Sequence, residues 1–202
     1  MKRFLAVLLF LPLLLSSALA HEVNLSVLLE GIEYTEREDL NGIDTMYRPA
    51  AQPWRFETEN GRLRVYLDYV DAVNDDMLFL RLTMNFSVYE KLVTPHMAFT
   101  VDGKTWIATA EVNAEEYDGT YYHDYMLYFT DETDDLLKAI VRAEGLVTVN
   151  IDGLEPFHAE LELPAEEMAD LYDRYVNAGG MRQRFEIYHS IWPLIESGNN
   201  KK

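Results

Sequence analysis

The residue with the most distinctive potential chemistry is His21, because it directly follows a predicted cleavage site. Ala18-Leu19-Ala20 has the small-x-small pattern that signal peptidase recognises, and cleavage after Ala20 would leave His21 as the first residue. Its free α-amino group and its imidazole could then bind copper, with a second histidine as the third nitrogen ligand. The spacing does not choose among the candidates for that second ligand, which are His96, His123, His158 and His189.

This arrangement resembles the histidine brace of lytic polysaccharide monooxygenases and of some periplasmic copper-binding proteins, which also have β-sandwich folds. The resemblance implies a copper site that contains His21 with His123 or His96. His123 lies in the tyrosine-rich segment Tyr121-Tyr122-His123-Asp124-Tyr125, so a nearby phenol could be an axial ligand. The alternative is that cleavage simply exposes a histidine, and we expect no bound cofactor.

Tyrosine and tryptophan side chains suggest a binding surface. The chain has 13 Tyr and 3 Trp, and these side chains combine a large contact area with a polar group, which suits both protein interfaces and sugar rings. Tyr122 and Tyr125 fall on opposite faces of a regular strand, so one should be exposed and the other buried. The alternative is that these rings cover the edge of the core. The predicted binding residues are Tyr121, Tyr122, Tyr125 and Trp106, with Tyr128 nearby.

Common catalytic motifs are missing from the sequence. Without cysteine, a thiol nucleophile or a thiolate zinc site is impossible, and neither G-x-S-x-G nor H-E-x-x-H occurs. The acidic run from Asp131 to Asp135 fits the first turn of a helix better than a calcium loop. These observations favour a protein that is not an enzyme.

The N-terminus predicts export. Lys2 and Arg3 precede the apolar stretch Phe4 to Leu15, so residues 1–20 are predicted to be a signal peptide, and the mature protein to be periplasmic or extracellular. No later segment approaches the roughly 20 apolar residues that cross a bilayer.

The formal net charge is −18, and loss of Lys2 and Arg3 would make it more negative. Such a charge excludes nucleic acid and favours a cationic partner.

Hydrophobic alternation predicts the fold class. From Arg62 to Leu163 apolar residues recur at every second position, most clearly from Leu78 to Val88. Together with turn dipeptides between these runs, this pattern predicts a mainly β, α+β fold: an antiparallel β-sandwich or partly closed barrel. The turn dipeptides are Asn60-Gly61, Asp102-Gly103, Asp118-Gly119 and Asp152-Gly153. Asp102-Gly103 is predicted to join a strand from Met97 to Val101 to a strand from Lys104 to Val112.

Helical periodicity occurs in the second half of the chain. It predicts a crossover helix over Asp131 to Ala143, a helix that begins at Pro164, and another that begins at Met181. The predicted organisation is a β-rich domain over 21–163, C-terminal helices over 164–196 that pack on it, and a disordered tail over 197–202. Residues Gly31 to Pro53 show no period and are predicted to form a long loop or an irregular excursion.

The function that these features favour is that of an exported, acidic, non-enzymatic protein that binds a protein partner, as an inhibitor or immunity protein would bind a basic enzyme. Two alternatives remain: a copper-binding protein that uses His21, and a carbohydrate-binding module that uses the aromatic side chains.

Overall fold

A computed structural model describes residues 25–38, 44–72, 77–89, 91–92, 94–130, 133–153 and 156–180. Over these ranges the chain forms two antiparallel sheets and three helices, and neither sheet closes into a barrel. The predicted β-sandwich with a crossover helix is therefore confirmed. The signal peptide, His21, the helix predicted from Met181, His189 and the tail lie outside the described residues.

The larger sheet has seven strands: β1 (Tyr34–Glu38), β2 (Asp44–Pro49), β3 (Trp54–Thr58), β4 (Gly61–Ala72), β5 (Met77–Val88), β8 (Glu111–Tyr117) and β9 (Thr120–Tyr128). They pair in the order β1-β2-β4-β5-β9-β8, with β3 also paired to β4. The smaller sheet has the order β11-β10-β6-β7, formed by β6 (His96–Val101), β7 (Lys104–Thr109), β10 (Val147–Ile151) and β11 (Phe157–Leu161).

Alternation along β4 and β5 determines which side of the larger sheet is the inner face. Leu67 pairs with Leu82 and Val65 with Met84, and all four side chains are buried. The smaller sheet packs on one half of this inner face, where the Phe86 and Phe157 rings stack with centroids 4.0 Å apart. The apolar side chains of both sheets form one core.

Helices cover the other half of the inner face. They are α1 (Leu25–Leu28), α2 (Asp134–Val141) and α3 (Ala165–Asn177). α2 connects β9 in the larger sheet to β10 in the smaller one, and its buried residues are Leu136, Leu137, Ile140 and Val141. α3 is fixed to the sheet by hydroxyl hydrogen bonds, from Tyr69 to the Leu171 carbonyl at 2.9 Å and from Tyr175 to the Leu78 carbonyl at 3.1 Å. No helix among the described residues is both long enough and apolar enough to span a membrane.

β2 and β3 both pair with β4, but at different ends of it. Between them, the Gln52 side chain takes the place of a paired backbone unit. Its amide nitrogen donates to the Leu67 carbonyl and its carbonyl oxygen accepts from the Leu67 amide, each at 2.9 Å. β4 is therefore hydrogen-bonded across the interruption between its two neighbours.

Three local predictions differ from the structure. The prediction of a long loop over Gly31 to Pro53 is wrong, because β1 and β2 form an antiparallel pair there. The turn predicted at Asn60-Gly61 lies one residue earlier, since Thr58 pairs with Gly61. The strand predicted from Lys104 to Val112 is two strands in different sheets, separated at Ala110. The turns at Asp102-Gly103 and Asp118-Gly119 have the positive φ angles expected of them.

Candidate functional site

The predicted tyrosine surface is divided between the two faces of β9. Tyr122 is 46% exposed, whereas Tyr125 is fully buried and its hydroxyl donates to the Thr94 carbonyl at 2.9 Å. Burial raises the pKa of Tyr125 to about 12. The predicted difference between Tyr122 and Tyr125 is confirmed, but Tyr125 belongs to the core and cannot act as an exposed anchor.

Trp106 does not join the tyrosines either. It lies on β7 of the smaller sheet, opposite the buried Phe99, and its half-buried ring packs against the core. The Lys104 ammonium lies 4.3 Å from the centroid of the ring. Tyr121, Tyr122, Tyr125 and Trp106 therefore do not form one flat aromatic platform of the kind that stacks on a sugar.

The histidines within the described residues are dispersed. His96 is exposed, and its Nδ1 lies 3.4 Å from the Thr109 hydroxyl. His158 is half-buried, with Nδ1 2.7 Å from the Asn150 side-chain oxygen. In the part of the chain that the structure describes, no three His, Asp or Glu side chains converge as metal ligands.

His123 has a structural role that conflicts with metal binding. It is buried, and its Nε2 accepts a hydrogen bond from the Leu92 backbone amide at 3.0 Å, which uses the lone pair that a metal would need. Its ring stacks on Phe86 at 5.5 Å. Burial lowers the pKa of His123, so the imidazole is neutral in the core. The prediction of His123 as a copper ligand therefore does not fit the geometry of this residue.

A buried polar network lies on the outer face, which is the side of the seven-stranded sheet that faces away from the core. Asp68 on β4 lies opposite Arg81 on β5 and is 0% exposed. Its carboxylate accepts hydrogen bonds from Arg81 Nε at 3.0 Å and from Arg48 Nη2 at 2.8 Å. Two guanidinium groups thus share one buried carboxylate, which leaves a local charge of +1.

Aromatic and sulfur-containing side chains surround this network. The Arg48 guanidinium lies 3.8 Å above the Tyr66 ring, and Arg81 contacts the Tyr128 hydroxyl and the sulfur atoms of Met46 and Met126. Burial alone would lower the pKa of Arg81, but Asp68 outweighs that effect and raises it. Arg81 therefore stays ionised, and the network holds β2, β4 and β5 in register from the outer side.

Exposed tyrosines and acidic residues lie farther along the outer face, at its β8 edge. Glu115 on β8 is opposite Tyr122 on β9, and Tyr117, two residues after Glu115, is 74% exposed. Glu111 and Asp124 lie on the same face, beside Met126 and Asn113 respectively. We refer to Glu111, Glu115, Tyr117, Tyr122 and Asp124 together as the β8–β9 surface.

Two further features border the β8–β9 surface. Tyr121 faces the other side of the sheet opposite Glu116, whose charge raises the pKa of the Tyr121 phenol. A cleft of about 290 Å³ lies where the chain passes from one sheet to the other, and its lining includes Ile107, Glu111 and Met126.

Tyr117, Glu111 and Glu115 are not among the binding residues that were predicted from the sequence. The turn at Asp118-Gly119 contained the necessary information, because it fixes the pairing of β8 with β9.

Comparisons with known proteins give no relative from which a function could be transferred. No protein-family model, curated protein or solved structure matches this chain.

Proposed function

We propose that this chain is an exported, non-enzymatic binding protein that attaches to a cationic protein partner through the β8–β9 surface. The observation that carries the proposal is the exposure of Tyr117 and Tyr122 beside Glu115 on a sheet face. Glu111 and Glu115 on β8 are exposed as well. Only Tyr122 of the four predicted binding residues remains central, with Tyr121 at the border of the surface.

The chemistry of the β8–β9 surface suits a lysine or arginine side chain. A cation over a tyrosine ring contributes about 0.5–1 kcal/mol at an exposed site, and a carboxylate beside the ring adds a charge-assisted hydrogen bond. The adjacent cleft combines Ile107 and Met126 with the carboxylate of Glu111. This combination fits a long side chain that has an aliphatic stem and a cationic end.

The net charge of the whole chain supports the same class of partner. A field from a net charge of −18 attracts a basic protein during diffusion and accelerates the encounter, while contacts at the tyrosines would determine how long the complex lasts. An inhibitor or immunity protein that captures a basic enzyme outside the cytoplasm would use both effects.

The partner experiment compares variants of the exported protein on a solid support. Protein carrying Tyr122→Ala or Glu115→Gln should retain much less of a cationic partner from the extracytoplasmic fraction than the unmodified protein does. Truncation of a central anchor costs about 2 kcal/mol or more, which is roughly a thirtyfold loss of affinity. Identification of the retained protein by mass spectrometry then shows whether it is basic.

Tyr34→Ala is the matched control, because Tyr34 is 41% exposed and lies on β1, at the opposite edge of the same sheet. It should leave retention unchanged. Equal retention by all variants, or retention of a partner that is not basic, would contradict the proposed surface. Export is tested separately, since the N-terminus of protein recovered outside the cytoplasm should read His-Glu-Val-Asn.

A further inference from the structure

Two arginines face each other on the outer face, in the hairpin formed by β3 and β4. Arg55 is directly opposite Arg64, and both side chains are exposed. Directly opposite residues have Cβ atoms about 5 Å apart, and like charges at such positions destabilise a sheet. Neither arginine forms an ion pair with another described residue.

The neighbouring pair in the same hairpin is complementary. Arg62 is opposite Glu57, and its Nε lies 3.2 Å from Glu57 Oε1. Both hairpin pairs are exposed and belong to the same two strands, so they differ in charge but little in setting. The hairpin thus combines one neutralised pair with one pair that is not neutralised, in a chain that contains 35 acidic residues.

Three acidic residues around the two arginines on the outer face have hydrogen-bond partners of their own. Asp124 lies two strands from Arg64 and accepts a hydrogen bond from Asn85 at 2.5 Å. Asp68 binds Arg48 and Arg81, and Glu57 binds Arg62. The charge of +2 at Arg55 and Arg64 is therefore not balanced by these carboxylates.

We propose that Arg55 and Arg64 form a binding site for a phosphate group. Two neighbouring guanidinium groups can each donate two hydrogen bonds to one tetrahedral oxyanion. A phosphate monoester carries close to two negative charges at neutral pH and would balance both arginines, whereas a single carboxylate would leave one positive charge. The site is separate from the β8–β9 surface and does not rest on the proposed function.

Binding is measured by titrating the ¹⁵N-labelled protein with inorganic phosphate at constant ionic strength, with chloride as the reference anion. The unmodified protein should show saturable shifts at the β3–β4 hairpin amides. Arg64→Gln should weaken binding about tenfold, because it removes one charge-assisted pair of hydrogen bonds. Arg37→Gln, which replaces an exposed arginine on β1 far from this hairpin, is the control and should leave the affinity unchanged.

The Arg55→Glu variant tests whether the two arginines bind phosphate or are only neighbours in the sheet. This substitution makes the pair with Arg64 complementary, so it should raise the thermal unfolding temperature while abolishing phosphate binding. Saturable binding that survives Arg55→Glu would overturn the proposal. It would also be overturned if Arg37→Gln weakened binding as much as Arg64→Gln.

Vesicle binding distinguishes a lipid headgroup from a soluble phosphate compound as the source of the phosphate group. Cosedimentation is measured with phosphatidylcholine vesicles that contain or lack phosphatidic acid. Vesicle binding that requires phosphatidic acid and is lost in Arg64→Gln would identify a lipid headgroup. Binding of inorganic phosphate without vesicle binding would identify a soluble phosphate compound. Absence of both would overturn the proposal.

Discussion

On the inner face of the seven-stranded sheet, β4 and β5 contribute apolar side chains to a core shared with the smaller sheet and the helices. On the outer face, the same two strands bury Asp68, Arg81 and Thr83, and Val70 is buried there outside the main core cluster. The inner face depends on apolar area and tight packing, while on the outer face the buried Asp68 and Arg81 depend on each other and on Arg48. The two faces should therefore respond differently to substitution.

The largest expected effect is on the inner face. Phe86→Ala removes a ring that stacks on Phe157 and Tyr125, and should lower the free energy of unfolding by about 4 kcal/mol. Phe79→Ala, at a half-buried position on the outer face of the same strand, should cost only about 1–2 kcal/mol. Urea denaturation measures both values, and equal losses would remove the distinction between the faces.

The next effect is on the outer face. Asp68→Asn leaves two guanidinium groups near each other without a counter-charge and should cost about 3 kcal/mol. Simultaneous replacement of Arg48 and Arg81 by Met and of Asp68 by Leu should be close to neutral in stability, because no buried charge is left unpaired. A triple variant that is as unstable as Asp68→Asn would show that the outer face depends on the ion pairs themselves.

The smallest effect is a dependence on pH at the inner face. The pKa of His123 is lower in the folded protein than in the unfolded chain, so the unfolded chain binds the proton more readily. The stabilising contribution of neutral His123 is complete above about pH 6.5, the pKa expected of an unfolded histidine, and is lost as the pH falls towards the lower folded value. His123→Gln should reduce the decline in unfolding free energy below that pH.

The exposed His96 provides the control for this measurement, because His96→Gln should leave the pH profile of stability unchanged. Lys91 and Asp124 act on His123 in opposite directions and are retained in both variants. An identical decline in the unmodified protein and in His123→Gln would assign the acid sensitivity to carboxylates instead.

The sequence predicted the inner face well because burial on one side produces a period of two. In β5 every second residue from Leu78 to Val88 is buried, as the alternation requires. The β1–β2 pair was missed because this period of two is absent there. The described side chains of β1 are exposed and those of β2 are half-buried, so no apolar period marks this pair.

The outer face was harder to predict because its contacts depend on register. A turn at Asn60-Gly61 would place Arg55 opposite Tyr66, whereas the observed turn, one residue earlier, places it opposite Arg64. The Asp68–Arg81 contact likewise depends on how β4 pairs with β5. Polar residues on alternate positions indicate which face they occupy, but they do not indicate which side chain lies beside them.

The Gln52 side chain also bears on how the protein avoids aggregation. Between β2 and β3, the backbone of β4 at Leu67 would offer an unpaired donor and acceptor to a strand from another molecule. The Gln52 amide occupies both groups. A single side chain thus closes a gap in the sheet against intermolecular strand pairing, a protection that an alanine at this position would not provide.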